Sequence, residues 1–170
     1  MRIVLYDTTE RSMPYLSTIW AAGAMFSRSD YVLAVSSWGE AYARLSAIER
    51  RISLLQVWGH GAEGRPLIAG QPVDLGRLSA VADTDSQSEV WWRACDVAGG
   101  ALGHAFMRAA SRYLGCRVVG HCAVISWPNP LVQREIVGLK PGQEPWWPLS
   151  GQGLPSCSAL RMTPPPWAYE

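Results

Sequence analysis

An excess of either charge is missing from this chain: Lys and Arg total 15 against 14 Asp and Glu, a net of +1, and no run of like charge occurs. Without a basic face there is no electrostatic footprint for a nucleic-acid backbone or an anionic lipid surface, so neither nucleic acid nor membrane is expected as a partner. Long apolar runs are missing too. The stretch from Ile19 to Phe26 is soon followed by Arg28 and Asp30, well short of the roughly 20 residues that span a bilayer. The opening Met1-Arg2-Ile3-Val4-Leu5-Tyr6-Asp7 has the pattern of a strand and lacks the basic start and small-residue cleavage site of a secretory signal, so a soluble, cytoplasmic chain is expected.

Cysteine is scarce. The four, Cys95, Cys116, Cys122 and Cys157, form no CxxC pair and no zinc-ribbon or knuckle spacing. If Cys116 to Cys122 is a strand, their backbones lie roughly 20 Å apart, beyond the ~7 Å limit of a disulfide. His104, His121 and Cys122 make a poor metal set, because adjacent strand residues point to opposite faces. No metal and no cofactor are expected, and no glycine-rich phosphate cradle supports a nucleotide.

What the chain does have is alternation. At 170 residues it suits one domain with a substantial core. Strand patterns at Arg2 to Tyr6, Tyr31 to Ser36, Ile52 to Trp58, Glu89 to Ala94 and Arg117 to Ile125 alternate with helical ones at Met13 to Ser27, Trp38 to Arg50, about Asp74 to Val81, and Gly100 to Leu114. Ser37 or its neighbour suits an N-cap, Arg50-Arg51 suit the negative end of the second helix, and Gly115 is a stop. The last helix is expected to carry Leu102, Phe106, Ala109 and Tyr113 on one apolar face. Gly64 to Val73 suits a small hairpin with Gly70 near its turn. The order implies an α/β domain, a three-layer sandwich with a mostly parallel central sheet, spanning residues 1–125. A flavodoxin-like fold is the plain alternative.

From Ser126 the composition changes. Trp127-Pro128-Asn129-Pro130, Pro145-Trp146-Trp147-Pro148 and Pro164-Pro165-Pro166-Trp167 break any regular period, so residues 126–170 are expected as an irregular Pro/Trp-rich extension packed on the same domain.

Two apolar strand-like runs end in reactive groups. Ile52 to Trp58 delivers Gly59-His60-Gly61, and Val90 to Ala94 delivers Cys95. In open parallel sheets functional groups gather beyond the carboxyl ends of strands. Neighbouring strands ending this way would set an imidazole beside a thiol, the arrangement nucleophilic cysteine chemistry requires. His60 is then the base, Cys95 the nucleophile, and the N–H groups of Gly61 and Cys95 the candidate oxyanion donors. Glu63 and Asp96 are candidates to orient the imidazole, and His121 is the competing base. Each residue also has an ordinary explanation, since a lone cysteine is most often a small buried hydrophobe and a lone histidine can simply close a loop.

The blocks Val57-Trp58-Gly59-His60-Gly61 and Val90-Trp91-Trp92-Arg93-Ala94-Cys95 resemble those of the caspase-like cysteine peptidases: caspases, metacaspases, gingipains, clostripain, legumain and separase. The segment Cys95-Asp96-Val97-Ala98-Gly99-Gly100 also looks like less characterised bacterial caspase-like domains. The resemblance spans Arg2 to Ile125. It implies a caspase–haemoglobinase-type sandwich, the histidine after the third core strand, the cysteine after the fourth, and endopeptidase activity on a protein or peptide substrate without a cofactor. It also makes Arg93 and Asp96 the candidate substrate-binding residues. Arg93 replaces the Gln or Asp frequent at that position, which helps line the pocket for the residue before the scissile bond. A guanidinium there favours an acidic side chain, whereas Asp96 would favour a basic one; the lean is toward acidic. A catalytically silent domain of the same fold, binding a regulatory protein partner through its tryptophan-bearing tail, is the competing function.

Overall fold

The strands of the main sheet are short apolar runs, and their burial explains why. Leu54, Leu55, Val57 and Trp58 are all under 9% exposed, as are Val90, Trp91 and Trp92, which fits strands covered on both faces. The computed structural model describes residues 1–10, 14–125, 132–133, 135–150, 157–158 and 168. In chain order its elements are β1 (Arg2–Asp7), α1 (Pro14–Phe26), β2 (Tyr31–Val35), α2 (Trp38–Ser46), β3 (Leu54–Trp58), β4 (His60–Ala62), β5 (Arg65–Ile68), β6 (Gln71–Pro72), α3 (Leu75–Val81), β7 (Glu89–Arg93), α4 (Gly100–Leu114), β8 (Arg117–His121), β9 (Val132–Gln133), β10 (Ile136–Leu139) and β11 (Cys157–Ser158).

Six strands form one sheet in the order β10-β8-β7-β3-β1-β2. All neighbours are parallel except β10, which runs antiparallel to β8. The protein is therefore an α/β sandwich with a mostly parallel sheet. One face carries Ile3, Leu5, Leu55, Val57, Val90, Trp92 and Val118 into a core shared with α2, α3 and α4. The other face carries Val4 and Trp58, which pack with Ala24 and Trp20 of α1. Toward β10 this second face holds Leu54, Trp91, Val119 and Ile136, joined by Ala168. Among the described residues no helix is long and apolar enough to cross a membrane.

Local signals hold where a side chain closes on nearby backbone. Ser37 caps α2 by accepting from the Glu40 N–H, Asp74 caps α3 through the Arg77 N–H, and Gly115 ends α4 in the left-handed region at φ 61. Three expectations change. Helix α2 stops at Ser46, with Ala47 as its C-cap, so Arg50 and Arg51 lie outside it and Arg51 pairs with Asp85 at 2.7 Å. Helix α4 buries Gly103, Met107, Ala110, Ser111 and Leu114; of the expected face Phe106 packs against the core beside Trp92, while Leu102 and Tyr113 are each 60% exposed. A Cβ on Gly103 would lie 2.4 Å from the Ala98 carbonyl carbon, so at this closest approach only glycine faces inward, while Met107 and Leu114 fill the core further along the helix. Finally, the extension after residue 125 is not wholly irregular, because Ile136–Leu139 supplies the sixth strand of the main sheet. The motifs at Trp127-Pro128-Asn129-Pro130 and Pro164-Pro165-Pro166-Trp167 lie outside the described residues.

Cys95, Cys116 and Cys122 are free thiols, in keeping with the strand-length argument against a Cys116–Cys122 bond.

Candidate active site

Strands β3 and β7 are parallel neighbours in the register Leu54↔Glu89 through Trp58↔Arg93. Both therefore stop at the same level of the sheet, and the residues that follow them emerge side by side. After β3 the chain passes through Gly59 into β4, which folds back against β5 with His60 opposite Leu67 and Gly61 opposite Pro66. After β7, Ala94 leads into a tight connection from Cys95 to Gly99 that precedes α4. This connection is zipped to the chain beyond β8 by Asp96 N–H to Ala123 O at 3.0 Å and Ala98 N–H to His121 O at 2.9 Å.

The hairpin and the cysteine connection touch through backbone. A Cβ built on Gly61 would lie 2.2 Å from Cys95 O, 2.8 Å from Cys95 N and 3.0 Å from Ala94 Cβ. Only glycine lets β4 lie this close to Cys95. Gly61 is thus set against the Cys95 backbone, with His60 the residue before it in β4.

His60 is held on two sides. Its Nε2 is hydrogen-bonded to the Glu10 carboxylate, and Trp20 of α1 meets the ring edge-on, with centroids 5.2 Å apart at 78°. A carboxylate only accepts, so an ionised Glu10 calls for the hydrogen on Nε2, which leaves Nδ1 as the bare nitrogen. Glu10, with a side chain 10% exposed, is a residue the sequence reading missed. Its only local signal is position, three residues past the carboxyl end of β1, the strand next to β3 in the sheet. The chain is turned there by Asp7, which is 2% exposed and accepts from the Thr9 N–H and hydroxyl.

Cys95 is partly buried. The Ile125 N–H donates to its Sγ at 3.3 Å. Burial pushes the thiol above its ordinary value, the Ile125 amide works against this, and the Asp96 charge adds to the rise. At neutral pH the resting group is a thiol.

The two carboxylates considered for orienting the imidazole do something else. Glu63 accepts from the Leu102 N–H at 3.1 Å, answering one of the open amides at the start of α4. Asp96 has a left-handed φ of 55, and a Cβ on Gly99 would lie 2.0 Å from its Oδ1. Burial, and then the Glu63 charge, raise the Asp96 carboxyl above the usual range. Asp96 therefore stays beside Cys95 in the chain and faces the head of α4.

Arg93 is not brought to the surface. It is 3% exposed, its guanidinium carbon lies 4.2 Å from the Trp58 ring and 4.3 Å from the Trp91 ring, and Nη1 donates to Gln56 Oε1 at 2.9 Å. Residues 58, 91 and 93 share a face because Trp58 is registered on Arg93 and strand side chains alternate. His121, the competing base, is fully buried and stacks on Trp91 with centroids 6.5 Å apart, so the Glu10-held His60 is the imidazole at the hairpin.

The C-terminal extension braces this connection. Trp147 Nε1–H donates to Ala98 O at 2.9 Å, and the Gly100 N–H donates to Leu149 O at 3.0 Å. Among the described residues no group of three or more His, Cys, Asp or Glu is placed to hold a metal ion. An open hollow of about 510 Å³ between the ends of α3 and α4, lined by Ser79, Asp83, Arg112 and Tyr113 among others, includes none of the site residues. Comparison with protein-family models, with curated proteins and with solved structures finds no match for this chain.

Proposed function

We propose that this protein is a cysteine endopeptidase of the caspase-like type, cutting peptide bonds through a thioester with His60 as base and Cys95 as nucleophile. The observation that carries the reading is the contact of Gly61 with the Cys95 backbone, at the shared carboxyl edge of two registered parallel strands. The histidine follows the third strand of the main sheet and the cysteine the fourth in chain order, in agreement with what the resemblance implies for the fold.

In this reading the sulfur turns from the Ile125 amide toward the imidazole, and Nδ1 takes the thiol proton as sulfur bonds to the scissile carbonyl carbon. The oxygen that becomes negative receives the N–H groups of Gly61 and Cys95. The carbon–nitrogen bond then breaks, and the imidazolium returns its proton to the leaving amine. Water attacks the thioester, its proton passing to Nδ1, and carbon–sulfur cleavage followed by reprotonation restores the thiol. Each step balances without a cofactor. Arg93 is packed between Trp58 and Trp91 and bonded to Gln56, so the preference for an acidic residue before the cut requires that packing to open.

The resting thiol favours one second reading, a silent domain of the same fold that binds protein. Its support is specific: Sγ is engaged by Ile125 and its ionisation is disfavoured by burial. A peptide-library cleavage assay on the native chain and Cys95→Ala separates the two. The peptidase reading expects turnover that vanishes in Cys95→Ala, with cuts after acidic residues; cuts after Lys or Arg would refute the role of Arg93, and equal cleavage by both proteins would refute the enzyme.

A further inference from the structure

The geometry points to Glu10 as the residue that positions His60: it takes the Nε2 hydrogen, fixes the ring as the tautomer with Nδ1 bare, and balances the positive charge the ring acquires when Cys95 gives up its proton. The inference deepens the peptidase reading and rests on His60 being the base.

Three observations converge. The first is the contact itself, between groups 50 residues apart in sequence, on a carboxylate whose side chain is only 10% exposed. The carboxylate is thus largely shielded while the imidazole, 37% exposed, keeps one side open, so solvent and salt weaken the pair less than a fully exposed one. The second is the way Glu10 is delivered. Asp7 Oδ1 accepts from Thr9 N–H at 2.8 Å and from the Thr9 hydroxyl at 2.7 Å, an Asx-type turn that redirects the chain after β1. Asp7 Oδ2 accepts from Ala69 N–H at 2.9 Å, in the turn between β5 and β6. One buried carboxylate thus clips the Glu10 segment to the hairpin that carries His60. The third is Trp20, whose edge-on contact limits rotation of the ring. Trp20 belongs to the cluster of Val4, Ala24 and Trp58, so the seat of the imidazole is anchored in the core.

The chemistry follows from the donor and acceptor inventory. A neutral imidazole has one N–H and one bare nitrogen, and whichever nitrogen faces a carboxylate carries the hydrogen. With Nε2 so engaged, Nδ1 is the atom able to accept the thiol proton. Without Glu10 the ring is free to adopt the other tautomer, in which Nδ1 carries hydrogen and is useless as a base. The same logic makes the third member of a Ser-His-Asp triad a holder of the histidine and not a proton acceptor.

The test compares the native protein with Glu10→Ala, Glu10→Gln and His60→Ala by two readouts. Ring ¹⁵N spectra in alkaline buffer, where imidazole is neutral, report the tautomer of His60 without any need for turnover. The rate at which a thiol-directed peptide electrophile labels Cys95 reports activation of the sulfur. The native ring is expected as the Nε2–H form. Glu10→Ala is expected to mix the tautomers and slow labelling by roughly 100-fold, below the ~10⁴-fold loss seen for a wrong tautomer in a triad because Trp20 still restrains the ring. Glu10→Gln, which keeps an acceptor oxygen but no charge, is expected to retain the tautomer and recover part of the rate. A native ring in the Nδ1–H form overturns the role of Glu10 and the Nδ1 route for the thiol proton together, whereas Glu10→Ala with unchanged tautomer and labelling overturns the role of Glu10 while leaving the dyad standing. Labelling unaffected by His60→Ala overturns the peptidase reading itself, and the catalytic consequence of Glu10 with it.

Discussion

Replacing Gly61 by alanine tests the juxtaposition of the two site segments with a single methyl group. The added Cβ would meet Cys95 O at 2.2 Å and Cys95 N at 2.8 Å, whereas carbon contacts are favourable near 3.5–4.0 Å. Both neighbours are backbone, so no rotamer change relieves the clash, and β4 must retreat from Cys95 by about 1 Å to reach even a tight contact. Overpacking of this kind costs about 1–3 kcal/mol, a fall in Tm of about 2–12 °C for a chain of this size. Displacing reacting groups by about 1 Å lowers a rate by roughly 100-fold, so labelling of Cys95 should slow by that order while the fold persists below the new Tm. Gly39→Ala is the control: the site is exposed, its nearest neighbour would be Ser37 Oγ at 3.7 Å, and alanine in a helix should stabilise by about 0.5–1 kcal/mol. Thermal unfolding by circular dichroism and labelling followed by mass spectrometry read both effects. A Gly61→Ala protein with native Tm and native labelling would refute the contact and the site built on it.

Two further outcomes follow, one from the brace on the cysteine connection and one from a buried thiol elsewhere in the core. Trp147→Phe removes the N–H that Ala98 O accepts at 2.9 Å while keeping most of the ring; the loss should be about 1–2 kcal/mol, measured as a lower urea midpoint, and an unchanged midpoint would remove the extension as a brace. Stability should also fall in alkali. Burial pushes the Cys116 thiol from 9.0 to about 12, so the folded state keeps a proton that the unfolded chain loses; the stabilisation is complete below about pH 9 and disappears between about 9 and 12, amounting to as much as about 4 kcal/mol. Urea midpoints across that range should decline in the native protein and decline less in Cys116→Ala, and parallel slopes would contradict the assignment.

The site's framework was legible because its signals are local. Ile52–Trp58 and Val90–Ala94 stand out as apolar runs ending at His60 and Cys95, whereas the packing of Gly61 on the Cys95 backbone emerges only in the fold. The expected apolar face of α4 held only at Phe106, which packs against the core; the face that meets the core is turned toward Gly103, Met107, Ala110 and Leu114, because α4 approaches Ala98 so closely at Gly103 that Leu102 and Tyr113 stay out. Helix α2 ended early because Arg50 and Arg51 mark a favourable helix end without fixing it. Strand β10 was hidden within a Pro- and Trp-rich segment whose composition outweighed the short run Ile136–Leu139. Glu10 was illegible for a different reason, since its pairing with His60 depends on strand order and not on any sequence period. Arg93 could have been placed correctly from registry alone, as Trp91 and Arg93 must share a face, with Trp58 alongside.

The central claim is that His60 activates Cys95, and the most direct measurement is the labelling rate of each cysteine by a peptidyl thiol-reactive probe in native protein and in folded His60→Ala. Buried Cys116 and Cys122 should remain unlabelled, while Cys95 reacts first and slows by roughly 100-fold when the imidazole is removed. Uniform slow labelling of all the thiols, indifferent to residue 60, would contradict the account.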